Sequence, residues 1–396
     1  MLRFDKHGLW AVGLAFAGAS LMTSVVTAAE SAAVPFKLGT FRAADREYLG
    51  LVLNDSTIVD IPAANRAWEA RNTSAPKLQF PNDMKDLIAR YNADLGPRLR
   101  ELARFASANG QGFVRPVAQV KILPPVRPSV ILNAGANYSE HAQGIIEQGA
   151  REAAAARGAA PGAAPGPAPA GPPAGGPPAG GPPRQAVQSM TGYWERPQGD
   201  TRGDNPYLFL KSPTAVVGAN DDVVIPRGRT QIDWECEFAV VVGRKAKNVS
   251  VKDAGDYIFG YSIEFDVSDR GGRGDRKMGG GPDWLVQKNH DTFAPIGPYI
   301  VPKEFLPQPT NVRHYFTLNG EIKQDSNTSR MDYNLWDMLA YASNIMTLSP
   351  GDMLALGSPA GTNVERENPR WMKAGDMGVC VVEGVGEQRH RIVGQD

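Results

Sequence analysis

Residues 231–243 read QIDWECEFAVVVG. The first half alternates, with Asp233, Glu235 and Glu237 separated by Trp234 and Cys236, and the second half, 238–242, is continuously apolar. Side chains on a strand alternate faces with a period of two, so the three carboxylates share one face and the apolar run is buried on both. At strand rise Glu235 and Glu237 stand about 6.6 Å apart, and at an effective dielectric of about 20 their repulsion is roughly 2.5 kcal/mol. Three arrangements answer that cost. Lys or Arg neighbours neutralise the face, a hard divalent cation takes the oxygens, or the strand end opens to water.

The chain around this stretch has 396 residues, 42% of them hydrophobic, which allows one large domain and a smaller one. Formal net charge is zero, and no basic cluster with interleaved aromatics occurs, so nucleic acid is not an expected partner. Two cysteines, Cys236 and Cys380, exclude a disulfide scaffold; both sit in apolar runs and read as small buried hydrophobes. At the N-terminus, Arg3 and Lys6 precede an apolar run over 9–26 and small residues at 27–29. This is the pattern of a secretory signal peptide over 1–29, which places the protein outside the cytoplasm, periplasmic or secreted. Cleavage after Ala28 or Ala29 leaves no stable membrane association, whereas an uncleaved signal would be an anchor.

Residues 30–123 read as a small N-terminal domain, with short β-type runs separated by turn signals over 36–61. Helical periodicity follows at Met84, Leu87, Ile88 and Tyr91, and again at Leu99, Leu102 and Phe105. The larger domain, 124–396, opens with ILNAGANYSEHAQ over 131–143, an apolar run leading into a helix near Ser139. That puts His141 in the helix's first turn, an address equally suited to a general base and to a structural histidine. Residues 150–192 are dominated by Ala, Gly and Pro and read as a solvated insertion. Lys211 ends the strand-like YLFLK. Asp266, Ser268 and Arg270 alternate on a strand running out into glycines, and Asp266 is a third candidate ligand. Arg270 offers a planar fork for a carboxylate. Lys288 lies in the polar group KNHD, Asn319-Gly320 turns a hairpin, residues 334–344 form an amphipathic helix, and Gly357 and Ser358 occupy a second glycine loop.

Taken in order, NYSEH, LFLKSP, DWECEF, FDVSDR, KNHDTFAPIGP, LNGEIKQ, SPGDMLALGSPAG and VVEGVG resemble the fumarylacetoacetate hydrolase family over nearly all of the chain after residue 29. The resemblance implies a mainly β fold with helices (α+β), a mixed β-sandwich roll with a small N-terminal domain, often a homodimer. It implies Mg2+ or Mn2+ held by Glu235, Glu237 and Asp266. The substrate class it implies is a small-molecule oxo acid, a 2-oxo or 2,4-dioxo acid such as an acylpyruvate. An ion chelated by the oxo acid draws electrons from its carbonyl and steadies the enolate left when a carbon–carbon bond breaks. His141 would activate the attacking water, Arg270 and Lys288 would hold anionic oxygens, and Lys211, Gly357 and Ser358 would line the substrate. The sequence departs from the family pattern at Gly144, where many members carry a glutamate that partners the histidine; Glu140 and Glu147 stand nearest as substitutes. Gly271 and Ser358 replace an acid and a threonine. The expected activity is hydrolysis of a carbon–carbon bond in a 2,4-dioxo acid. Decarboxylation, isomerisation or hydration at the same site is the alternative, as is an exported module that binds an oxo acid without turnover.

Overall fold

Two short ladders, not one strand, carry the 231–243 stretch. Ile232–Asp233 pairs with Ser268–Asp269, and Cys236–Val242 pairs with Ile258–Phe265. Between them the Asp266 amide donates to the Glu235 carbonyl at 2.8 Å, so the antiparallel register runs through the interruption unchanged. Asp266 is thereby set opposite Glu235, and Glu264 opposite Glu237. Every residue of Cys236–Val242 is buried, as an apolar run covered on both faces must be.

The computed structural model describes residues 33–110, 112–158, 194, 205–273 and 283–395. The export pattern and most of the Ala/Gly/Pro-rich stretch lie outside the described residues. The central sheet runs Tyr207–Lys211, Ile131–Gly135, Met353–Ala355, Cys236–Val242, Ile258–Phe265, Ala294–Ile296 and Val216–Gly218, with Val301–Pro302 added against Ile258–Phe265. A second sheet, Glu321–Asn327, Arg313–Leu318, Met377–Val382, Gly386–Gly394 and Val223–Ile225, packs on its back. Trp234, Phe238, Phe265 and Phe316 fill the core between them, and Phe316 stacks with both Trp234 and Phe265. Both sheets mix parallel and antiparallel pairs, and the class is α+β, mainly β.

Residues 34–123 supply a third, five-stranded sheet with helices Ile61–Arg71, Met84–Arg90 and Gly96–Asn109. Its Leu87, Leu99 and Leu102 share one apolar cluster with Val241, Met353 and Ala355 of the central sheet, and Val34–Asp396 is one compact unit. The hairpin turns where the sequence places it: Asn319 and Gly320 both have positive φ, 53° and 83°, the left-handed pair that matches strand twist. Helix Leu335–Ile345 is capped by Asn334 and Asp337 in a reciprocal box. The helix from Ser139 runs on to Gly158, so residues 150–158 of the expected insertion are helical.

One expectation is corrected. Cys236 and Cys380 are not separate buried hydrophobes; their sulfurs are bonded, with Cα atoms 5.4 Å apart, joining the central sheet to the one behind it. The pairing was hidden because 144 residues separate them and each lies in an unremarkable apolar run.

Candidate active site

Register builds the site. Glu235 and Glu237 come from one side of the ladder and Asp266 from the other, and one oxygen of each lies within 4.8 Å of the others. All three carboxylates are buried. Their charges are partly met by cations from elsewhere in the chain. Lys288, at the end of helix Trp284–Lys288, donates to Glu235 Oε2 at 2.5 Å and to Asp266 Oδ2 at 2.6 Å. Arg270 donates from Nε to Asp233 Oδ2 at 3.1 Å and from a terminal nitrogen to Glu235 Oε1. Burial pushes the Glu235 carboxyl up, but Lys288, Arg270 and His141 outweigh it and hold the group well below the usual range.

Glu237 is the exception. Its Oε2 accepts from the Gly357 amide at 2.8 Å, while Oε1, fully buried, has no hydrogen-bond partner among the described residues. Burial, then Asp266, Glu264 and Glu235, push its carboxyl well above the ordinary value. An unpartnered buried acceptor costs roughly 1–3 kcal/mol, and more when charged. Three carboxylates with one oxygen left over form the oxygen-only donor set that Mg2+ or Mn2+ takes, so the residues present fit such an ion. Glu264 extends the same patch: it is buried, pushed up to about 8 by desolvation, and held at Oε2 by Asn133 Nδ2 at 2.7 Å.

His141 stands at the edge of this cluster, with Nε2 3.9 Å from Glu235 Oε1. Its Nδ1 is hydrogen-bonded to Glu365 Oε1, a residue 224 positions later. The sequence expectation of a partner among Glu140 and Glu147 is therefore corrected: Glu140 pairs with Arg330, and Glu147 accepts from Gln143. Gly144 makes the substitution possible, because a Cβ there would lie 2.7 Å from Glu365 Cγ. Glu365 is held in turn by the Thr362 hydroxyl at 2.7 Å and the Gly361 amide at 2.9 Å, the box closing the short Asn363–Glu365 turn. Burial raises the Glu365 carboxyl, and the bond and charge of His141 bring it net below its ordinary value. The one signal for this residue in the sequence was the Thr-x-x-Glu spacing of a capping box.

Lys211 and Gly357 bond directly to the cluster, whereas Ser358 is bonded elsewhere. The Lys211 ammonium is buried and gives its protons to Asp266 Oδ1, the Phe293 carbonyl at 2.6 Å and the Val267 carbonyl at 3.3 Å. With three donors and three acceptors it fixes Asp266. Gly357 presents its amide to Glu237, and its φ of 95° together with a Cβ position 2.8 Å from Asn137 Cβ restricts the site to glycine. The Ser358 hydroxyl accepts from Gln324 Nε2 at 2.8 Å. Asp233 is fully buried; it accepts from Arg270 and from the amides of Asn363 at 2.8 Å and Val364 at 3.2 Å, tying the Glu365 turn to the guanidinium.

A family model described as fumarylacetoacetate (FAA) hydrolase C-terminal matches residues 183–393. The mitochondrial oxaloacetate tautomerase Fahd2a of Rattus norvegicus is 38% identical over 189 residues, 48% of this chain and 59% of that protein. This chain thus spans about three fifths of the tautomerase's length. An uncharacterized protein of Pyrococcus abyssi is 38% identical over 216 residues, 54% of this chain and 92% of that one. Among solved structures, maleylpyruvate hydrolase from Sphingobium sp. SYK-6 in complex with manganese(II) ion and pyruvate superposes with a TM-score of 0.59 at 25% identity, covering 91% of this chain and all of that one.

Proposed function

This chain belongs to the fumarylacetoacetate hydrolase family, and from that premise we propose that it is a divalent-metal-dependent hydrolase cleaving a carbon–carbon bond in a 2,4-dioxo acid of the acylpyruvate type. The observation that carries the reading is the His141–Glu365 pair beside the carboxylate cluster. Mg2+ or Mn2+, held by Glu235, Glu237 and Asp266, would supply a Lewis acid toward the oxo group of the substrate.

The protein's own groups divide the remaining work. Glu365 fixes the His141 ring through Nδ1 and stabilises the imidazolium, so Nε2 is the atom that takes a proton from water. Lys288 spends two of its three donors on Glu235 and Asp266 and has a third for an anionic oxygen of the substrate. Arg270, bridging Asp233 and Glu235, sets the charge beside it. Burial of His141 and Lys288, with Arg270 and Glu365 half-buried beside them, keeps their interactions strong. The reading includes export and a homodimer. Export is supported by the pattern over 1–29 and by the Cys236–Cys380 bond, which a reducing compartment would not keep.

A second reading is favoured by the 38% identity to an oxaloacetate tautomerase: keto–enol exchange of an oxo acid, with His141 carrying the proton. Incubating the purified chain with Mg2+ and an acylpyruvate, following loss of the enol absorbance and identifying products, separates the two. Hydrolysis yields pyruvate and a carboxylic acid in equal amounts and falls by roughly 100-fold or more in Glu365→Gln. Carbon dioxide without an acid fragment, or enol–keto exchange with no fragments, contradicts hydrolysis.

A further inference from the structure

Behind the ligand Glu237 lies a polar group that the proposed reaction leaves unused. Glu264 faces Glu237 across the antiparallel ladder, so both carboxylates leave the same side of the sheet. Asn133, from the Ile131–Gly135 strand, reaches the same place and donates to Glu264 Oε2 at 2.7 Å. Asn133 and Glu264 are wholly buried. Even so, Asn133 Oδ1, Glu264 Oε1 and Glu237 Oε1 all have no hydrogen-bond partner among the described residues. Three buried acceptors left over around one side chain call for a donor or a cation nearby.

The balance of charge points the same way. Asp233, Glu235, Glu237, Glu264 and Asp266 are five carboxylates, and the cations bonded among them are three, Lys211, Lys288 and Arg270. With all five ionised, as they would be around a bound cation, the shortfall is two charges, that of one divalent ion. Without Glu264 the shortfall would be a single charge, and an arriving divalent ion would meet less net negative charge.

We propose that Asn133 and Glu264 are positioning residues of the cation site: they do not ligate the ion, but place a fourth carboxylate behind Glu237 and so raise the site's affinity for a divalent cation. The inference rests on the reading of Glu235, Glu237 and Asp266 as cation ligands. Partners behind metal ligands of this kind change affinity about 10–100-fold. Both residues stand out in the sequence as polar interruptions of apolar strands, Glu264 in YSIEF and Asn133 in VILNAG.

The test is a Mn2+ binding isotherm on the full chain stripped of metal, read from the electron paramagnetic resonance of free Mn2+, for the wild type, Glu264→Gln and Asn133→Ala. Glu264→Gln keeps the shape and removes the charge. Its affinity is expected to fall about 10–100-fold, while its metal-free melting temperature holds or rises, because an amide replaces a poorly partnered buried acid. A purely structural residue would move the melting temperature down instead and leave affinity alone. Asn133→Ala is expected to weaken binding by a smaller factor. Wild type and Glu264→Gln binding one ion equally tightly overturns this inference and leaves the ligand reading standing. A wild type that takes up no Mn2+ overturns both.

Discussion

Cys236 and Glu237 are neighbours in sequence and opposites in environment. Cys236 points to the back of the central sheet, where it is bonded to Cys380 among Trp234, Phe265 and Phe316. His314 spans that region with both ring nitrogens engaged, by the Cys236 carbonyl and the Tyr138 hydroxyl. Glu237 points to the front, where carboxylates crowd one another and an oxygen is left without a partner among the described residues. The back is fixed by packing and a covalent bond before any ligand arrives. The front is built at a cost in stability, which the proposed cation would offset. The contrast shows where this chain trades stability for function: the rigid back holds the strained front in register.

The comparison can be broken first at the front. Glu237→Gln removes the unpartnered charged oxygen, and Mn2+ affinity is expected to drop by roughly 100-fold or more, with folding intact. Binding isotherms with circular dichroism as a control check it; unchanged affinity would mean that Glu237 is not a ligand. At the back, reducing the Cys236–Cys380 bond or replacing both residues by Ala is expected to cost about 2–5 kcal/mol in stability, because the closed loop is long. Urea unfolding of oxidised and reduced protein measures this, and equal midpoints would contradict it.

The back also sets an acid limit. Burial lowers His314 and His390 to about 4 in the folded chain, against an ordinary value of 6.5. The unfolded chain therefore takes up these protons first as pH falls. Stability from the two neutral rings is complete above about pH 6.5 and is lost progressively toward pH 4, by roughly 3 kcal/mol at most for each ring. Chemical denaturation across that range, with His314→Asn for comparison, tests the slope. The smallest expected effect returns to the front. Gly144→Ala adds a methyl 2.7 Å from Glu365 Cγ, so turnover should fall about 10-fold while Mn2+ binding stays as it was.

The front was more legible in the sequence than its partners were. Alternation in DWECEF announced the carboxylates, and the next Asp-containing strand supplied Asp266, because both signals are local and periodic. Hairpin 319–320 and helix Leu335–Ile345 were legible for the same reason. Glu365 was not, since its role depends on a turn brought beside His141 from 224 residues away, and on a glycine that makes room for it. The Cys236–Cys380 bond was hidden in the same manner: two residues in apolar runs reveal nothing about each other until the sheets are stacked. Lys211 reads in the sequence as the lysine ending a strand, and only the structure shows its three acceptors.

The central claim is that the front cluster holds a divalent ion in order to present it to a 2-oxo acid. Calorimetric titration of oxalate into the chain, metal-stripped and then loaded with Mn2+, tests it most directly. The account predicts that oxalate binds the loaded protein at one per chain and does not bind the stripped protein. Equal binding with and without the ion, or none in either, would contradict it.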